Sequence, residues 1–477
     1  MKNIREEQQA DYDWLADRIE HKREMFTQLS DQIWGLAETK FEEFESAGLL
    51  ADQLELSGFR VERHGGGLPT AFIGTYGSGS PVIAVLGEFD ALPNMSQQAG
   101  VTVEQALQNK GNGHGCGHHL LGTGSLAAVI AVKEYMDKKG LPGTIRYYGC
   151  PAEEGGSGKT FMVREGLFDD VDAALTWHPG YNNAVVSQTS SANVQLRYRF
   201  QGKSAHAGIS PHKGRSALDA VELMNVGANY LREHIPPGAR FHYAVTETGG
   251  HFPNVVQAVA EVVYLIRAPE MQQVNEIYQR INDVAKGAAL MTGTEVDIQF
   301  EKACSNLIPN VTLEEVMYRC FTNLGIPAFT EDEQSYASEI LTTLEPVQTG
   351  AVNGGGLLKT LDPYEPVSGI MLGSTDVSDV SWVVPTAQLE TVCYASETPF
   401  HSWQMVAQGM TSASHKGMLH AAKVMAATAV ELLMHHDILE EAKQELRNRG
   451  GMEGYTCPIP AHVNPPVKER LFRQQPE

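Results

Sequence analysis

The chain has 477 residues, of which 42% are hydrophobic and 20% charged, so it can bury a large core and divide into two or more domains. Its formal net charge of −22 argues against nucleic acid or an anionic membrane surface as a partner. The charged start of the chain shows no apolar signal segment, and no later apolar run approaches the length needed to span a bilayer, so we expect a cytoplasmic protein without membrane contact. Six scattered cysteines form no small-domain disulfide framework, which agrees with a reducing compartment.

The first elements predicted are helices. Apolar residues at helical spacing predict a long amphipathic helix from Asp11 to about Lys40, and a second helix covers Phe44 to Leu56. Turn residues then alternate with short apolar runs, which predicts buried strands, and the strand PVIAVLGEF ends near Glu88 and Asp90. Open α/β sheets place their sites at such strand ends, although carboxylates there are also ordinary turn formers.

The densest group of ligand-type residues lies between Gly111 and Gly122, in the sequence GNGHGCGHHLLG. Cys116 and His118 are two residues apart and point to the same side of an extended segment, while the glycines allow tight turns. Thiolate and imidazole favour zinc, manganese, cobalt or nickel over calcium and magnesium. The segment therefore predicts a transition-metal site. The alternative is a helix-capping loop with incidental histidines.

Two further strand ends carry residues of the same kind. After a predicted helix from Leu120 to about Lys138, the strand GTIRYYGC leads into adjacent Glu153 and Glu154. Their side chains diverge, so one can bind metal while the other faces a metal-bound water as general base. An isolated Glu-Glu pair is more often a solvated loop, but its place after a core strand favours a functional role. The next strand, VDAALTW, delivers His178 into a His-Pro turn.

The pattern changes at about residue 186, where a β-α-β-β-α order begins that ends near Cys304. We therefore expect two domains: a discontinuous one formed by residues 1–185 and 305–477, and an inserted one formed by residues 186–304. The inserted strands leave sheet edges without an obvious partner, and the same edge of a second chain is a natural cover for them. The last thirty or so residues, from Arg447 onward, predict an extended surface tail.

The ordered motifs GEFDALP, HGCGHH, PAEEGG, WHP, GKSAHAG and GGHFPNVV, with a late histidine, carry a family resemblance. Together they resemble the co-catalytic metal peptidases and amidohydrolases, a family that includes aminoacylases, hippurate hydrolase, carboxypeptidase G and the plant auxin-conjugate amidohydrolases. The resemblance covers most of the chain. It implies an α/β catalytic domain with a mixed sheet, and an inserted α+β domain of ferredoxin-like βαββαβ order that serves as a lid and as the dimer contact.

Carried over residue by residue, the resemblance implies two divalent transition-metal ions per chain, zinc or manganese. The implied ligands are Cys116, His118, Glu154, His178 and His401. His401 is preferred to His415 and His420 because PFHSW has the family's spacing ahead of the last helix.

The resemblance also implies roles outside the metal site. Glu153 becomes the general base, and His206 becomes a lid histidine that steadies the oxyanion in the partner chain's site. Asn254 and Arg267 resemble lid residues that grip the substrate carboxylate. The sequence departs from the family pattern at His119, where relatives have Asp, and at Glu88, where relatives have Asp or His; either departure can change the metal preference.

The implied reaction is hydrolysis of the amide bond of an N-acyl or N-aroyl amino acid. The expected substrate is p-aminobenzoyl-glutamate or a related folate fragment. Another acyl-amino acid, such as indole-acetyl-aspartate, or a dipeptide is the alternative substrate. A non-catalytic metal-binding partner protein is the alternative of another class, and the adjacent glutamates disfavour it because a structural zinc site needs no base. We expect a homodimer, or a hetero-oligomer with a paralogous chain.

Overall fold

The computed structural model of the chain describes residues 2–344 and 355–467. The helices of this part of the chain are α1 (Lys2–His21), α2 (Arg23–Leu36), α3 (Phe44–Leu56), α4 (His118–Lys139), α5 (Glu153–Gly156), α6 (Gly158–Arg164), α7 (Ala217–Leu231), α8 (Met271–Thr292), α9 (Val311–Leu324), α10 (Glu331–Leu341), α11 (Val377–Val383), α12 (Trp403–Gln408), α13 (Ser412–Met434) and α14 (His436–Asn448). The strands are β1 (Arg60–Arg63), β2 (Phe72–Ser78), β3 (Val82–Glu88), β4 (Gly143–Cys150), β5 (Ala173–Gly180), β6 (Ala184–Val186), β7 (Thr189–Ser190), β8 (Ala192–Gln201), β9 (Arg240–Glu247), β10 (Val259–Ala268), β11 (Glu295–Cys304), β12 (Ile370–Met371) and β13 (Thr386–Val392).

The larger sheet is mixed. Within the described residues it has seven strands in the order β1-β2-β4-β3-β5-β13-β6. The four central strands β4, β3, β5 and β13 run parallel, and antiparallel strands flank them on both sides. Every residue of β3 is buried, which explains its almost continuous apolar sequence. Since the central strands are parallel, their carboxyl ends meet along one edge of the sheet.

A second, antiparallel sheet is built from the strands between Ala192 and Cys304. Its order is β11-β8-β10-β9, and the chain passes through it as βαββαβ. Alternate residues of β10, from Ala260 to Ala268, are buried on the face that α7 and α8 cover. The expected fold class, a mixed α/β structure with an inserted α+β unit, is confirmed. The domain boundaries at residues 186 and 304 stay a prediction.

Two segments near the sheets differ from the sequence-based expectation. The predicted long first helix is wrong, because α1 ends at His21 and α2 begins at Arg23 and ends at Leu36. The apolar spacing hides this break because Ile19 and Ile33 are buried in the same core. His178 lies inside β5 and not in a turn after VDAALTW, because β5 pairs with β13 as far as Gly180.

The carboxyl-terminal segment is not a free tail as far as residue 467. Ile459 is buried, and the hydroxyl of Tyr455 donates a hydrogen bond to Asp379 over 3.0 Å. The expected tail beyond residue 467 lies outside the described residues.

Helix α13 is long and apolar enough, by length and composition alone, to cross a membrane. The expectation that no apolar run approaches this length is wrong by that criterion. In the structure 89% of its apolar window is buried inside the protein, where it packs against α4 and α9. The apolar surface of α13 is therefore buried in the protein core.

Helix α4 approaches β3 so closely that a Cβ at Gly122 would lie 2.6 Å from the carbonyl oxygen of Glu88. We expect Gly122→Ala to lower the free energy of unfolding by about 1–3 kcal/mol, because the helix must move away from the strand. Gly287 of α8 is the matched control, since nothing lies within 4 Å of its added Cβ. Gly287→Ala should raise stability by up to about 1 kcal/mol through helix propensity. Denaturant unfolding curves measure both, and equal effects would contradict the close packing at Gly122.

Candidate active site

The carboxyl ends of the central strands bring residues of separate motifs into one cluster. Two groups of three ligand atoms share the sulfur of Cys116, one with His118 and His178 and the other with Glu154 and His401. Within each group all ligand atoms lie within 4.8 Å of one another. The structure thus brings together all five residues that the resemblance implied as metal ligands, and places Cys116 between the two groups.

Glycines allow the loop before α4 to pass closely between its neighbours. A Cβ at Gly113 would lie 2.1 Å from the carbonyl oxygen of Met95. Gly117 has a φ of +82°, and a Cβ there would lie 2.3 Å from the hydroxyl of Tyr394. Side chains at these two positions would displace the loop. Gly113 and Gly117 are therefore needed to position the sulfur of Cys116.

Hydrogen bonds from Nδ1 orient the imidazole rings of His118 and His178 so that Nε2 of each ring points into the cluster. Nδ1 of His118 is 2.8 Å from Oδ1 of Asp90, and Nδ1 of His178 is 3.0 Å from the carbonyl oxygen of Pro179. Both partners are acceptors, so each Nδ1 carries a proton, and each Nε2 is the ring nitrogen directed at the cluster, where it would offer its lone pair to a bound metal. Nε2 of His178 lies 3.5 Å from the sulfur of Cys116.

His401 reaches the cluster through an uncommon backbone conformation. Its φ is +59°, and its amide donates to the carbonyl oxygen of Gly115 over 2.8 Å. Its Nε2 lies 3.2 Å from Oε1 of Glu154. Ala152 and Ser157, on either side of the glutamate pair, also have positive φ values of +59° and +53°. Such conformations cost on the order of 1–3 kcal/mol each and cluster at functional sites.

The two alternative histidines lie elsewhere. Nε2 of His415 is 2.8 Å from Oδ1 of Asp31, and Nε2 of His420 is 2.9 Å from the carbonyl oxygen of Gly325. Of the three late histidines, the structure places only His401 in a ligand group of the described residues.

The adjacent glutamates have pKa values shifted in opposite directions. Burial, followed by repulsion from Glu88 and Glu154, raises the pKa of Glu153 well above its usual range. Burial acts in the same direction on Glu154, but contact with His401 and the charge of His118 outweigh it and lower that pKa to about 2. One carboxyl group is therefore suited to hold a proton and the other to remain an anion, as in many acid–base sites.

The donor set of the cluster fits a divalent transition metal. It offers one sulfur, three imidazole nitrogens and a carboxylate, which zinc and manganese accept. Burial and the nearby Glu154 charge raise the pKa of the Cys116 thiol, so a thiolate there requires a cation beside it. Oε1 of Glu154 is also buried, and no group in the described residues gives it a well-formed hydrogen bond. The residues present therefore fit a metal centre.

The residues implied as lid residues stand apart from this cluster. Nδ1 of His206 accepts hydrogen bonds from the amides of Gly208 and Ile209, over 3.1 and 3.3 Å. The carbonyl oxygen of Asn254 accepts from the amide of Ala207, which places Asn254 beside the His206 turn. Within the described residues neither side chain belongs to a ligand group of this chain.

Arg267 lies on β10, directly between Asn193 of β8 and Arg240 of β9. It is on the face opposite α7 and α8, because the flanking residues Ile266 and Ala268 point into the helix-covered core. In this chain it is likewise outside the ligand groups of the described residues.

The two departures from the family pattern have different outcomes. His119 is fully buried, and its Nε2 donates to the carbonyl oxygen of Gly409 over 3.0 Å, so its role is in packing. Glu88 is also buried, but its Oε2 lies 3.2 Å from Nε2 of His118 and its Oε1 lies 2.6 Å from Nζ of Lys159. Glu88 therefore touches the cluster.

Sequence reasoning missed the groups that hold the ligands in place. Asp90 was noted only as a strand-end carboxylate, yet it binds both the His118 ring and, over 3.0 Å, the amide of Glu154. Its position in the motif GEFDALP was the sequence feature that could have indicated this role. Lys159 and its partner Asp376 gave no signal, because a single lysine after a glycine-rich segment is normally solvated.

Comparison with known proteins identifies the family. The profile of peptidase family M20/M25/M40 matches residues 84–354. The chain belongs to this family. It is 50% identical over 477 residues to one subunit of the p-aminobenzoyl-glutamate hydrolase of Escherichia coli K12, covering 96% of this chain and 99% of that one. It is 29% identical over 253 residues to a second subunit of the same hydrolase, covering 50% of this chain and 57% of that one.

A solved structure shares the fold. The crystal structure of a dinuclear metal-binding M20 peptidase of Bacillus subtilis matches with a TM-score of 0.55 at 17% identity, covering 86% of this chain and 98% of the other. The family resemblance stated from the motifs is confirmed. As a family member the chain is a hydrolase that acts on amide bonds.

Proposed function

We propose that this chain hydrolyses p-aminobenzoyl-glutamate to p-aminobenzoate and glutamate. The near full-length identity of 50% to one polypeptide of a p-aminobenzoyl-glutamate hydrolase supports the substrate. The observation that carries the chemistry is the pair Glu153 and Glu154, adjacent at a strand end, with opposite pKa shifts beside a cluster of metal-type donors.

Two divalent metal ions, zinc or manganese, are the proposed cofactors. Cys116, His118, His178, Glu154 and His401 would hold them. When bound, such ions polarise an amide carbonyl and acidify a water molecule. The chain's own part is to fix these ligands, which Asp90 does for His118 and for the backbone of Glu154.

Glu153 is the proposed general base. It belongs to neither of the groups that share Cys116, so its carboxyl group is left to exchange protons. Its raised pKa favours taking a proton from the attacking water and holding it until the leaving amine accepts it. An amine is a poor leaving group, so this return of the proton is as necessary as its removal.

His206 is the proposed oxyanion donor, acting in the site of a second chain. Because its Nδ1 accepts two backbone hydrogen bonds, the ring proton sits on Nε2, which is then available as a donor. Asn254, beside the same turn, and Arg267 would hold the substrate carboxylate.

The structure offers a surface for that second chain on the smaller sheet. Strand β9 is at the sheet edge and is exposed along most of its length, including Tyr243 and Val245. Helix α7 exposes Val226 and Tyr230. An apolar face next to an open edge is a usual dimer contact. A homodimer is our proposal, and the similarity to two different subunits of one hydrolase also supports a paralogous chain as the partner.

The substrate proposal is tested with the pure, metal-reconstituted chain against p-aminobenzoyl-glutamate, hippurate and indole-acetyl-aspartate. We expect kcat/KM for p-aminobenzoyl-glutamate to exceed that for hippurate by at least about tenfold, because hippurate lacks the second carboxylate. Each assay is repeated with the paralogous polypeptide of the hydrolase added, which shows whether the partner is required. Faster hydrolysis of hippurate or indole-acetyl-aspartate under both conditions would refute the substrate assignment.

Substitution of each adjacent glutamate separates their roles. Glu153→Gln should keep its bound metal while turnover falls by about 100-fold or more, because only proton transfer is lost. Glu154→Gln should lose bound metal as well, since it removes an anionic ligand. Metal content by mass spectrometry and kcat at saturating substrate measure both. The same metal loss in both variants would show that the roles are wrongly assigned.

A mixed-dimer experiment tests the shared site. His206→Ala and Glu153→Gln chains should each be inactive as homodimers, while a mixed dimer has one site that keeps both Glu153 and His206. We expect mixing to restore up to about half of the activity per mixed dimer, as one of two sites is rebuilt. Absence of recovery after exchange of chains has been verified would place His206 in its own chain's site or outside catalysis.

A further inference from the structure

A buried lysine lies directly behind the metal-type cluster. Lys159, in the first turn of α6, has no exposed surface. Its Nζ lies 2.6 Å from Oε1 of Glu88 and 2.5 Å from Oδ1 of Asp376. Three charged groups taken out of water are costly unless they pair closely, and an apolar side chain at this place would avoid that cost. The triad therefore indicates a role other than packing.

The ammonium of Lys159 is held in a fixed position. Asp376 accepts the backbone amide of Lys159 with its second oxygen, Oδ2, over 2.8 Å. The next residue, Thr160, donates its hydroxyl to Asp379 over 2.7 Å, so two successive residues of α6 are tied to the start of α11. A Cβ at Gly158 would lie 2.0 Å from the carbonyl oxygen of Pro151, which leaves α6 no room to shift toward the strand end.

Glu88 belongs to a third group of possible ligand atoms. Glu88, His118 and Glu153 offer atoms within 4.8 Å of one another, as close as in the two groups that share Cys116. Oε2 of Glu88 lies 3.2 Å from Nε2 of His118, the ring nitrogen that faces the cluster. By donor type and spacing this third group can also bind a cation, but it shares Nε2 of His118 with the group of Cys116 and His178, so the two groups compete for one ion. A cation there would draw in Glu153 and remove the base.

We propose that Lys159 is the internal counter-cation of this third group. Its ammonium neutralises Glu88, confines bound metal to the two groups that share Cys116, and leaves Glu153 free to move protons. Lys159 is thus a positioning residue that selects which of three overlapping donor groups is used. The inference rests on the proposed metal-dependent function, because it concerns where the ions bind.

The test is the number and coordination of Co²⁺ ions bound by full-length Lys159→Met. Because one ring nitrogen of His118 cannot serve two ions, we expect this variant to keep two ions per chain, measured by mass spectrometry after gel filtration, with one of them moved to Glu88, His118 and Glu153. The visible spectrum of the Co²⁺-loaded variant should shift to weaker bands, as coordination by Glu88 raises the coordination number. Turnover should fall by about 100-fold or more, the range expected when a general base is lost.

Two further variants serve as controls. Lys159→Met combined with Glu88→Gln removes the unpaired anion together with its counter-cation, and should restore the parental spectrum. Lys443 of α14 is another lysine paired with a carboxylate, 2.6 Å from Oδ1 of Asp172, and belongs to no ligand group of the described residues. Lys443→Met should leave the ion count and the spectrum unchanged.

The outcomes separate this inference from the proposed function. A parental Co²⁺ spectrum in Lys159→Met would overturn the counter-cation role and leave the proposed hydrolysis standing. If Lys159→Met does not fold, Glu88→Gln alone decides: it should keep two ions and the parental spectrum, and loss of an ion would make Glu88 a ligand and overturn the inference. A parent protein that binds no transition metal would overturn both proposals.

Discussion

The position of the whole cluster depends on the carboxylate of Asp90. One of its oxygens lies against Nδ1 of His118 and the other accepts the amide of Glu154, so a single side chain links the start of α4 to the start of α5. Asp90 is 1% exposed, and water does not compete for these bonds. Cys116 lies in the loop between Asp90, which follows the end of β3, and the start of α4. No residue with only one acceptor could make both contacts.

That arrangement gathers like charges in a protein that is already strongly acidic. Glu88, Asp90, Glu153 and Glu154 lie around one ring, that of His118. Burial raises the pKa of Glu153, and repulsion from Glu88 and Glu154 raises it further. The protein balances this repulsion locally, with the buried ammonium of Lys159 and with backbone amides. Residues in positive-φ conformations beside the same cluster add strain that the surrounding core must offset. The site is therefore maintained at the expense of stability, as functional sites commonly are.

Much of this fold could be predicted from the sequence because its strongest patterns are local. The boundaries of α3 and β4 coincide with those predicted, since each is an apolar run bounded by turn residues or charges. The ligand candidates were found because glycine-rich turns, strand ends and Cys or His residues coincide. The break after α1 was not predicted, because the same apolar spacing continues through Lys22. Only the backbone conformation departs from the helix at that residue.

The remainder of the site could not be predicted from the sequence because it depends on contacts between distant segments. Lys159 and Asp376 are 217 positions apart, and nothing near either of them indicates that they meet. The choice among His401, His415 and His420 depended on which one the folded chain turns toward Glu154. Only the three-dimensional arrangement shows that Glu88 is close both to His118 and to a lysine.

The inserted unit enters and leaves the larger part of the molecule at neighbouring points. Asn193, near the start of β8, pairs with Cys304, the last residue of β11. Just outside that pair, the amide of Leu307 donates to the hydroxyl of Ser190 over 3.1 Å. Since the two ends already meet, the larger sheet does not depend on what lies between them. Changes of length or sequence inside the inserted unit can therefore leave the strand-end residues of the larger sheet where they are.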